Sequence, residues 1–265
     1  MDAPPAPPLF TILLPIHRPP DLLGLALHSV LAQREQSFEI FIVCDGAPDE
    51  TAQEALRLAS TDTRVHARVF PKGERHGELH RAEVIETESR GRYICHICDD
   101  DLWMPGFLTD MARLLDEVEF GNLLQVAVKP EGGFRIIGFD LGSPEVRARM
   151  VNTRWNFFGP SVCGYRRTAY ERLSTGWSPA PDDLPTDLFM WRKFLRLDDT
   201  TFATRHEIGA LSPRAPRRQH MTIAERAAEN RALLDRMGDT SRCDALIQEI
   251  RRDTANDYFR LRFPG

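Results

Sequence analysis

The sequence predicts an α/β fold in which a mostly parallel central sheet is flanked by helices. Apolar runs of strand length alternate with amphipathic stretches of helical length four times in about the first 120 residues, which is the signature of such a sheet. The chain of 265 residues is 42% hydrophobic and 28% charged, an ordinary balance for a soluble globular protein. This length allows one large domain, or a domain with an appended subdomain.

Four buried strands are predicted in this first part of the chain, at residues 10–15, 38–44, 65–70 and 92–98. Each is a short and largely apolar run, too short to be a helix of ordinary length. An Asp-Gly turn signal follows the second run, and three consecutive acids follow the fourth.

Four amphipathic helices are predicted after these strands, at residues 20–33, 49–60, 80–88 and 105–118. Their apolar side chains recur at helical spacing, so that they share one face of each helix. The first helix has an acid in its first turn, and Gly91 follows the end of the third.

The pattern changes after residue 120. Two apolar runs joined by Pro-Glu-Gly-Gly predict an antiparallel hairpin, and the tail predicts a helical C-terminal extension. The predicted segments are the hairpin strands 123–128 and 134–139 and the helices 144–150, 187–196, 223–237 and 243–258.

Charge and composition exclude several classes of protein. The net charge of −5 and the isoelectric point near 5.9 argue against a nucleic-acid partner, which needs a basic surface. No apolar run approaches the roughly 20 residues that cross a bilayer. Five cysteines, an odd number, and the lack of a secretory signal predict a cytoplasmic protein.

Cys95 and Cys98 form a C-x-x-C pair, but no second pair of ligands follows at the spacing of a zinc finger. Because residues 92–98 are predicted to form a buried strand, we interpret these cysteines as small apolar side chains rather than as a zinc or redox site.

Three consecutive acids, Asp99, Asp100 and Asp101, follow the fourth strand, and Asp45 follows the second. Ligands of parallel α/β sheets bind at the carboxyl ends of the strands. Clustered carboxylates repel one another unless a cation neutralises them, and oxygen ligands select Mg²⁺ or Mn²⁺. The acids therefore predict a divalent metal site. The alternative is a solvated acidic turn that caps the next helix.

Two common nucleotide-binding signatures are missing. The chain has neither a G-x-G-x-x-G after the first strand nor a G-x-x-x-x-G-K-[ST] anywhere, which argues against a nicotinamide dehydrogenase and a P-loop enzyme. A phosphate group held through a metal ion is the natural substitute.

Several runs together resemble the family 2 glycosyltransferases, whose GT-A fold is a Rossmann-like nucleotide-binding α/β domain. The runs are TILLPIHRPPDLL at 11–23, LHSVLAQ at 27–33, FEIFIVCDG at 38–46, GRYI at 91–94 and DDDLWMP at 99–105, with weaker similarity at 156–170 and 187–192. The resemblance implies a metal-dependent, inverting transfer of sugar from a UDP- or dTDP-sugar to a carbohydrate or lipid-linked acceptor.

The resemblance also implies roles for residues on the donor side. Pro15 and His17 match the loop that lines the nucleoside. Asp45 matches the acid that hydrogen-bonds the edge of the base. Arg81 lies in a stretch that contacts the donor in the family, and Asp99 matches the position that reaches the ribose or the metal.

The family's D-x-D motif aligns with Cys98, Asp99 and Asp100, which makes Asp100 the metal ligand at its third position. Asp99 is a second candidate ligand, although the cysteine departs from the usual first acid. His220 matches a late-loop histidine that completes the metal or diphosphate site. The implied cofactor is Mn²⁺ or Mg²⁺. Asp101 is equally suited to be a helix N-cap.

In this family, the general base is an Asp or Glu that opens a helix across the pocket. Asp187 matches it best, and Asp183 is the runner-up. The alternative for Asp187 is a simple helix cap after a proline. Arg217 and Arg218 are candidate diphosphate partners.

Residues 156–165 resemble the acceptor-side loop of the family. Trp155, Phe157 and Phe158 near this loop are suited either to stack on a sugar or to fill the core.

These assignments divide the chain into a flexible leader at 1–8, a nucleotide-sugar-binding half at 9–120, an acceptor-binding and catalytic half of the same domain at 121–220, and the helical extension at 221–265. The leader is proline-rich and unsuited to a helix. Arginines of the extension make a peripheral contact with the inner face of a membrane possible, and a homodimer contact is possible as well.

Two other functions remain open from the sequence. A nucleotidyltransferase that makes nucleotide sugars is one, although the loop after the first strand lacks the glycines that such enzymes carry. A non-catalytic binding module that keeps the fold is the other, because fold alone does not establish activity.

Overall fold

The computed structural model describes residues 6–262. Residues 1–5 of the predicted leader lie outside the described residues. The strands are β1 (Phe10–Ile16), β2 (Phe38–Asp45), β3 (Val65–Phe70), β4 (Tyr93–His96), β5 (Leu102–Trp103), β6 (Phe120–Val128), β7 (Phe134–Ile137), β8 (Cys163–Arg166) and β9 (Phe202–Ser212). The helices are α1 (Leu23–Leu31), α2 (Asp49–Ala59), α3 (Glu78–Thr87), α4 (Phe107–Glu117), α5 (Pro144–Asn152), α6 (Arg167–Glu171), α7 (Thr186–Leu195), α8 (Ile223–Met237) and α9 (Thr240–Arg262).

The first part of the chain builds the parallel region of one sheet, in the order β3-β2-β1-β4. Both neighbours of β1 run parallel to it, with Phe10 opposite Phe38 in β2 and opposite Tyr93 in β4. Every residue of β2 is buried, as expected of a parallel strand that is covered by helices on both faces. The predicted alternation of strands and helices is confirmed.

The rest of the sheet is mixed, in the order β4-β8-β6-β9-β5, and β7 pairs with the far end of β6. Strand β8 is antiparallel to β4 and β6, whereas β9 is parallel to β6. The hairpin of β6 and β7 was predicted, but β8, β9, the two-residue β5 and the short helix α6 were not. Strand β9 begins with seven residues that are half-buried or exposed, and its polar side chains hide the strand pattern.

One close backbone contact fixes how β1 meets the turn before β4. A Cβ at Gly91 would lie 2.2 Å from the backbone nitrogen of Thr11. The Gly91 N–H also donates to Thr11 Oγ1 at 2.9 Å. Glycine is therefore required here by close approach of two backbones.

The predicted helical extension is confirmed. Helix α8 begins with a capping box in which Thr222 and Glu225 satisfy each other's backbone N–H groups. Helices α8 and α9 pack against the hairpin and against β5 and β9 in a second hydrophobic core, which is separate from the main core of the sheet. Its fully buried residues include Leu102, Val126, Leu211, Leu246 and Ile250.

Within the residues that the structure describes, none of the helices combines the length and the apolar character that crossing a membrane requires.

Candidate active site

A cleft opens at the carboxyl ends of β1 and β4, where the first strand is followed by Arg18 and the fourth by the acidic triplet. It has two connected parts that share Arg18, Cys98, Asp100, Pro160, Pro185 and Asp187. The part that we call the His17 lobe measures about 380 Å³ and is also lined by Pro15, His17, His76, Arg81, Asp99, Trp177 and Thr186. The Arg214 lobe measures about 510 Å³ and is also lined by Asp101, Gln125, Arg154, residues 156–159, Ser212 at the end of β9 and residues 214–216 in the loop after it.

Two of the acids converge on a single cationic group. Arg18 holds Asp99 through two hydrogen bonds, from Nε at 2.6 Å and from Nη2 at 2.7 Å. The same Nη2 lies 3.0 Å from Asp100 Oδ1. Oxygens of two carboxylates thus meet at one positive centre, as they would around a shared metal ion.

The charges of this cluster are partly removed from water. Burial raises the pKa of Asp99, and the hydrogen bonds and charge of Arg18 offset part of this rise. Burial also tends to lower the pKa of Arg18, but its pairing with Asp99 and Asp100 outweighs burial and raises it. Arg18 is therefore a permanent cation of the cleft.

Asp101 does not cap the next helix, although the sequence suggested that role. Helix α4 has Gly106 as its N-cap, five residues later, so the expectation that Asp101 caps a helix is wrong. Ser161 and Ser212 instead hydrogen-bond its carboxylate at the wall of the Arg214 lobe. Burial, followed by the charge of Asp100, raises the pKa of Asp101 to about 7.

The C-terminal extension reaches the site, which sequence reasoning did not foresee. Arg226 of α8 places Nη2 3.2 Å from Asp100 Oδ2, and Asn230 Nδ2 donates to the Asp100 carbonyl at 3.2 Å. The Arg226 Nε is buried without a hydrogen-bond partner. Asp100 is consequently held from both sides, by the loop after β1 and by α8.

Arg81 lies where a donor-binding residue was expected, in the wall of the His17 lobe. The side chain is buried over the ring of Trp177, with its guanidinium carbon 4.2 Å from the ring centroid, and Nη2 donates to the His76 carbonyl at 3.2 Å. The Arg81 Nε has no partner. A buried guanidinium N–H without an acceptor favours an anionic ligand.

Pro15 and His17, which the family resemblance assigns to the nucleoside-binding loop, also line this lobe. The ring of His17 lies 6.4 Å from the ring of His76, so that two imidazoles form one side of the lobe. Burial lowers the pKa of His76, which keeps this ring uncharged at neutral pH.

Asp187, like Asp100, lines both lobes of the cleft. It lies in the first turn of α7, where its carboxylate accepts from Asn156 Nδ2 at 3.0 Å and from the Leu188 N–H at 2.8 Å. Burial raises the pKa of Asp187. Asp183, the alternative candidate, is exposed and does not line either lobe.

Asp45 lies at the end of β2 but does not line the cleft. Its carboxylate is buried, accepts from the Gly73 N–H at 2.6 Å and forms an ion pair with Lys72. His80 Nε2 lies 3.6 Å away. In this arrangement, the segment from Lys72 to Gly77 covers the carboxylate.

The predicted late-loop residues are not part of the cleft. His220 is exposed and lines neither lobe, whereas Ser212 at the end of β9 and Arg214 in the loop after it do line the Arg214 lobe. Arg217 is exposed on another surface groove. The expectation that Arg218 binds a diphosphate is wrong, because Arg218 is buried in an ion pair with Glu229 that fastens the loop to α8.

The three protein ligands proposed for a metal, Asp99, Asp100 and His220, are therefore not assembled in this conformation. Among residues 6–262, no group of three or more His, Cys, Asp and Glu side chains is arranged to hold a metal ion. The two aspartates remain suited to one, because their oxygens already converge on the Arg18 nitrogen.

The aromatic residues near the acceptor-side loop mostly belong to the core. Phe157 and Phe158 are buried, and their edges form the floor of the Arg214 lobe. Trp155 is half-buried and stacks on Phe157 at 5.5 Å between ring centroids. The sequence interpretation of residues 156–165 as loop is wrong at its end, because β8 begins at Cys163 and runs beside β4.

Several residues of the site were missed by sequence reasoning, among them Arg18, Arg154, Ser161, Ser212 and Arg214. Arg18 follows His17 directly at the end of a strand, which is a signal that was available. Arg154 and the two serines come from segments that only the folded chain brings together.

Comparison with known proteins identifies the family of the chain. The profile described as Glycosyl transferase family 2 matches residues 11–174, more than half of the chain. The chain belongs to this family. The match includes Arg18, Asp45, the acidic triplet and β8, and it ends before Asp187.

Two curated relatives carry related names. A putative teichuronic acid biosynthesis glycosyltransferase, TuaG, of Bacillus subtilis is 28% identical over 96 residues, which is 36% of this chain and 37% of that protein. An uncharacterized glycosyltransferase of Rickettsia bellii is 26% identical over 117 residues, which is 44% of this chain and 16% of that protein. The chain thus spans well under half the length of these relatives.

Solved structures show the same fold. S. aureus TarS 1-349 in complex with UDP-GlcNAc has a TM-score of 0.58 at 16% identity, covering 77% of this chain and 58% of TarS 1-349. The mannosyltransferase PcManGT of Pyrobaculum calidifontis, in complex with GDP-Man and Mn²⁺, has a TM-score of 0.55 at 15% identity, covering 92% of this chain and 79% of that one. The predicted GT-A fold is confirmed.

Proposed function

We propose that this chain transfers a sugar from a nucleoside diphosphate sugar to a carbohydrate or lipid-linked acceptor, with inversion and with the help of Mn²⁺ or Mg²⁺. One observation carries the proposal: Asp100 and Asp187 line both lobes of a single cleft, and Asp99 also lines the His17 lobe. Such an arrangement suits two substrates that meet at the junction.

The His17 lobe is suited to the donor. Pro15, His17 and His76 offer apolar and ring surfaces for a nucleoside, and Arg81 offers a buried cation for a phosphate group. TarS and PcManGT were solved with UDP-GlcNAc and GDP-Man respectively, which supports a nucleotide-sugar donor for this chain. We propose uridine or thymidine as the base, because of the resemblance of the loops to the family. Asp45 could contact the base only if the Lys72–Gly77 segment opened.

Asp99 and Asp100 would hold the divalent cation. When bound, such a cation neutralises the negative charge that develops on the departing diphosphate. The presence of Mn²⁺ in the PcManGT complex supports this proposal. Arg18 and Arg226 already balance the carboxylates and supply further positive charge beside the phosphate position.

Asp187 would act as the general base. It takes the proton of the acceptor hydroxyl while that oxygen bonds to the anomeric carbon, and the bond from this carbon to the diphosphate breaks with its electron pair on the diphosphate. Asn156 and the Leu188 N–H hold the carboxylate in place. The Arg214 lobe, which Asp187 lines, would receive the acceptor.

The test measures ligand binding by thermal unfolding. UDP at 1 mM together with 1 mM Mn²⁺ should raise the midpoint of unfolding, whereas UDP without metal, in the presence of a chelator, should have a much smaller effect. A ligand at roughly 100 times its Kd stabilises the native state by about 2.7 kcal/mol. Asp100→Asn should abolish the metal-dependent part of the shift.

An activity assay completes the test. It measures the UDP that is released when UDP-sugars are hydrolysed or when their sugar is transferred to an acceptor. No shift with UDP or GDP in the presence of Mn²⁺ would contradict the proposed donor class. Release of pyrophosphate from a nucleoside triphosphate and a sugar phosphate would instead establish the nucleotidyltransferase alternative.

A further inference from the structure

We infer that Arg18 is an internal cation that occupies the metal-binding carboxylates until a donor arrives, so that metal and diphosphate enter the site together. The inference rests on the proposed function and assigns to Arg18 a positioning role in it. It follows from the placement of one guanidinium group between two carboxylates and an open lobe.

The guanidinium group of Arg18 is bound to both carboxylates at once. Its Nη2 is shared between Asp99 Oδ1 at 2.7 Å and Asp100 Oδ1 at 3.0 Å, and its Nε binds the other oxygen of Asp99 at 2.6 Å. Paired guanidinium–carboxylate hydrogen bonds are among the stronger contacts of a protein. A metal ion that uses both carboxylates needs these same oxygens, and Arg18 must release them first.

Displacing Arg18 from the two carboxylates is energetically unfavourable. The side chains of Asp99 and Asp100 are only 7% and 11% exposed, so water does not easily replace a lost partner. A released guanidinium group would also carry an unpaired charge into the cleft. Metal binding alone is therefore opposed by Arg18.

Arg18 has space to turn away from the two carboxylates. Its side chain is 29% exposed, and it lines both lobes, so it has room to turn without disturbing the core. A diphosphate in the His17 lobe would offer it oxygens of the same charge as those it leaves. The donor thereby compensates for the loss of Asp99 and Asp100, and the metal takes the vacated oxygens.

Arg226 does not share this role. It makes one contact with Asp100, at 3.2 Å, and it comes from α8 rather than from the loop after β1. Its side chain is 13% exposed and cannot swing as freely as Arg18.

The experiment measures Mn²⁺ binding to the whole 265-residue chain without nucleotide, by the electron paramagnetic resonance signal of free Mn²⁺. Arg18→Ala should tighten Mn²⁺ binding roughly tenfold or more, because one charge-assisted competitor is removed. The same variant should weaken the binding of UDP at saturating Mn²⁺ by roughly tenfold, because the diphosphate loses a partner. These opposite changes separate the inference from mere loss of structure, which would weaken both.

Arg154→Ala is the matched control. Arg154 is an exposed cation of the same cleft, and the ion pairs of Asp99 and Asp100 in the described part of the chain do not include it. Its removal reports the general effect of one less positive charge, and Mn²⁺ affinity should change by less than about threefold at ordinary ionic strength. Arg18→Gln, which keeps much of the side-chain volume, should behave like Arg18→Ala.

The outcomes are distinct. Unchanged or weaker Mn²⁺ binding in both Arg18 variants overturns the inference while leaving the proposed function intact. Binding of UDP without any binding of Mn²⁺ or Mg²⁺, in the wild type and in the variants, overturns the inference together with the metal dependence of the proposed function. Tighter Mn²⁺ binding in Arg18→Ala, but equally in Arg154→Ala, also overturns it, since charge alone would then explain the result.

Discussion

At the scale of single residues, the site is defined by groups that are charged and only partly hydrated. Asp99 and Asp100 are neutralised by arginines, whereas Asp187 lacks an ion pair within hydrogen-bonding distance in the described part of the chain and is held by an amide and a backbone N–H. This difference suits different tasks. Burial raises the pKa of both Asp99 and Asp187, but Asp99 has an ion-paired arginine that favours its charged form and Asp187, among the described residues, does not. Asp187 is therefore the better suited of the two to accept a proton.

As the pH is lowered, the activity should therefore decline at a higher pH than it would if the general base were an exposed aspartate. A base works only when it is ionised, and burial raises the pKa of Asp187 above the usual value of about 3.9. As the pH falls through this raised pKa, Asp187 becomes protonated and kcat/KM should drop. The measurement is the pH profile of kcat/KM for sugar transfer.

Asp187→Asn should lower kcat by about 10²–10⁴-fold and remove the acidic limb, while UDP binding stays within about threefold of the wild type. Asp183→Asn distinguishes the two candidate bases, because Asp183 is exposed and lies outside the cleft. A large loss of kcat in Asp183→Asn, with normal transfer by Asp187→Asn, would show that the base has been assigned to the wrong carboxylate.

At the scale of elements, the parallel strands β1, β2 and β4 decide where the site forms, because their carboxyl ends bring Arg18 and the acids to one edge of the sheet. The turn before β4 is a point of close contact in this arrangement. This contact sets the position of β4 along β1. The acidic triplet, which follows β4, is positioned with it.

Gly91→Ala should lower the free energy of unfolding by about 1–3 kcal/mol, the usual range for forced overpacking. The added Cβ would lie 2.2 Å from Thr11 N and 2.4 Å from the carbonyl carbon of Phe10, which are backbone atoms that cannot rotate away. Denaturant unfolding measures the effect.

Gly24→Ala in α1 is the contrasting substitution. A Cβ there meets no atom within 4 Å, and alanine favours a helix over glycine by about 0.5–1 kcal/mol. We expect a small gain in stability. Equal losses in the two variants would show that close approach at Gly91 does not limit the packing of β1.

At the scale of the whole molecule, the extension of α8 and α9 is part of the structural unit that carries the site. It forms the second core together with β5, β6, β7 and β9, and α8 supplies Arg226 and Asn230 to Asp100. The extension and the sheet should consequently unfold together.

Leu246→Ala tests this. Leu246 of α9 is fully buried in the second core, and such truncations cost about 2–5 kcal/mol. Calorimetry should show one transition at a lower temperature, and UDP with Mn²⁺ should still raise the midpoint of that single transition. The exposed neighbour Gln248→Ala should change stability by less than about 0.5 kcal/mol. Two separate transitions in the wild type would contradict the single unit.

The local elements and the chemistry of the strand ends could be predicted from the sequence. Short apolar runs and helical spacing predicted the first four strands and helices, because both depend on near neighbours. Pro15, His17, Arg81, Asp99, Asp100 and Asp187 were all predicted, and all line the cleft of the folded chain.

Which of these groups contact one another depends on the folding of the whole chain. The pairing of Arg18 with Asp99 joins residues 81 positions apart, and that of Arg226 with Asp100 spans 126. Asp45 and His220 were predicted by motif, yet neither lines the cleft. Strand β9 escaped prediction because its register depends on β6 rather than on its own pattern. Contacts between distant residues depend on how elements pack, and local sequence periodicity carries no information about that packing.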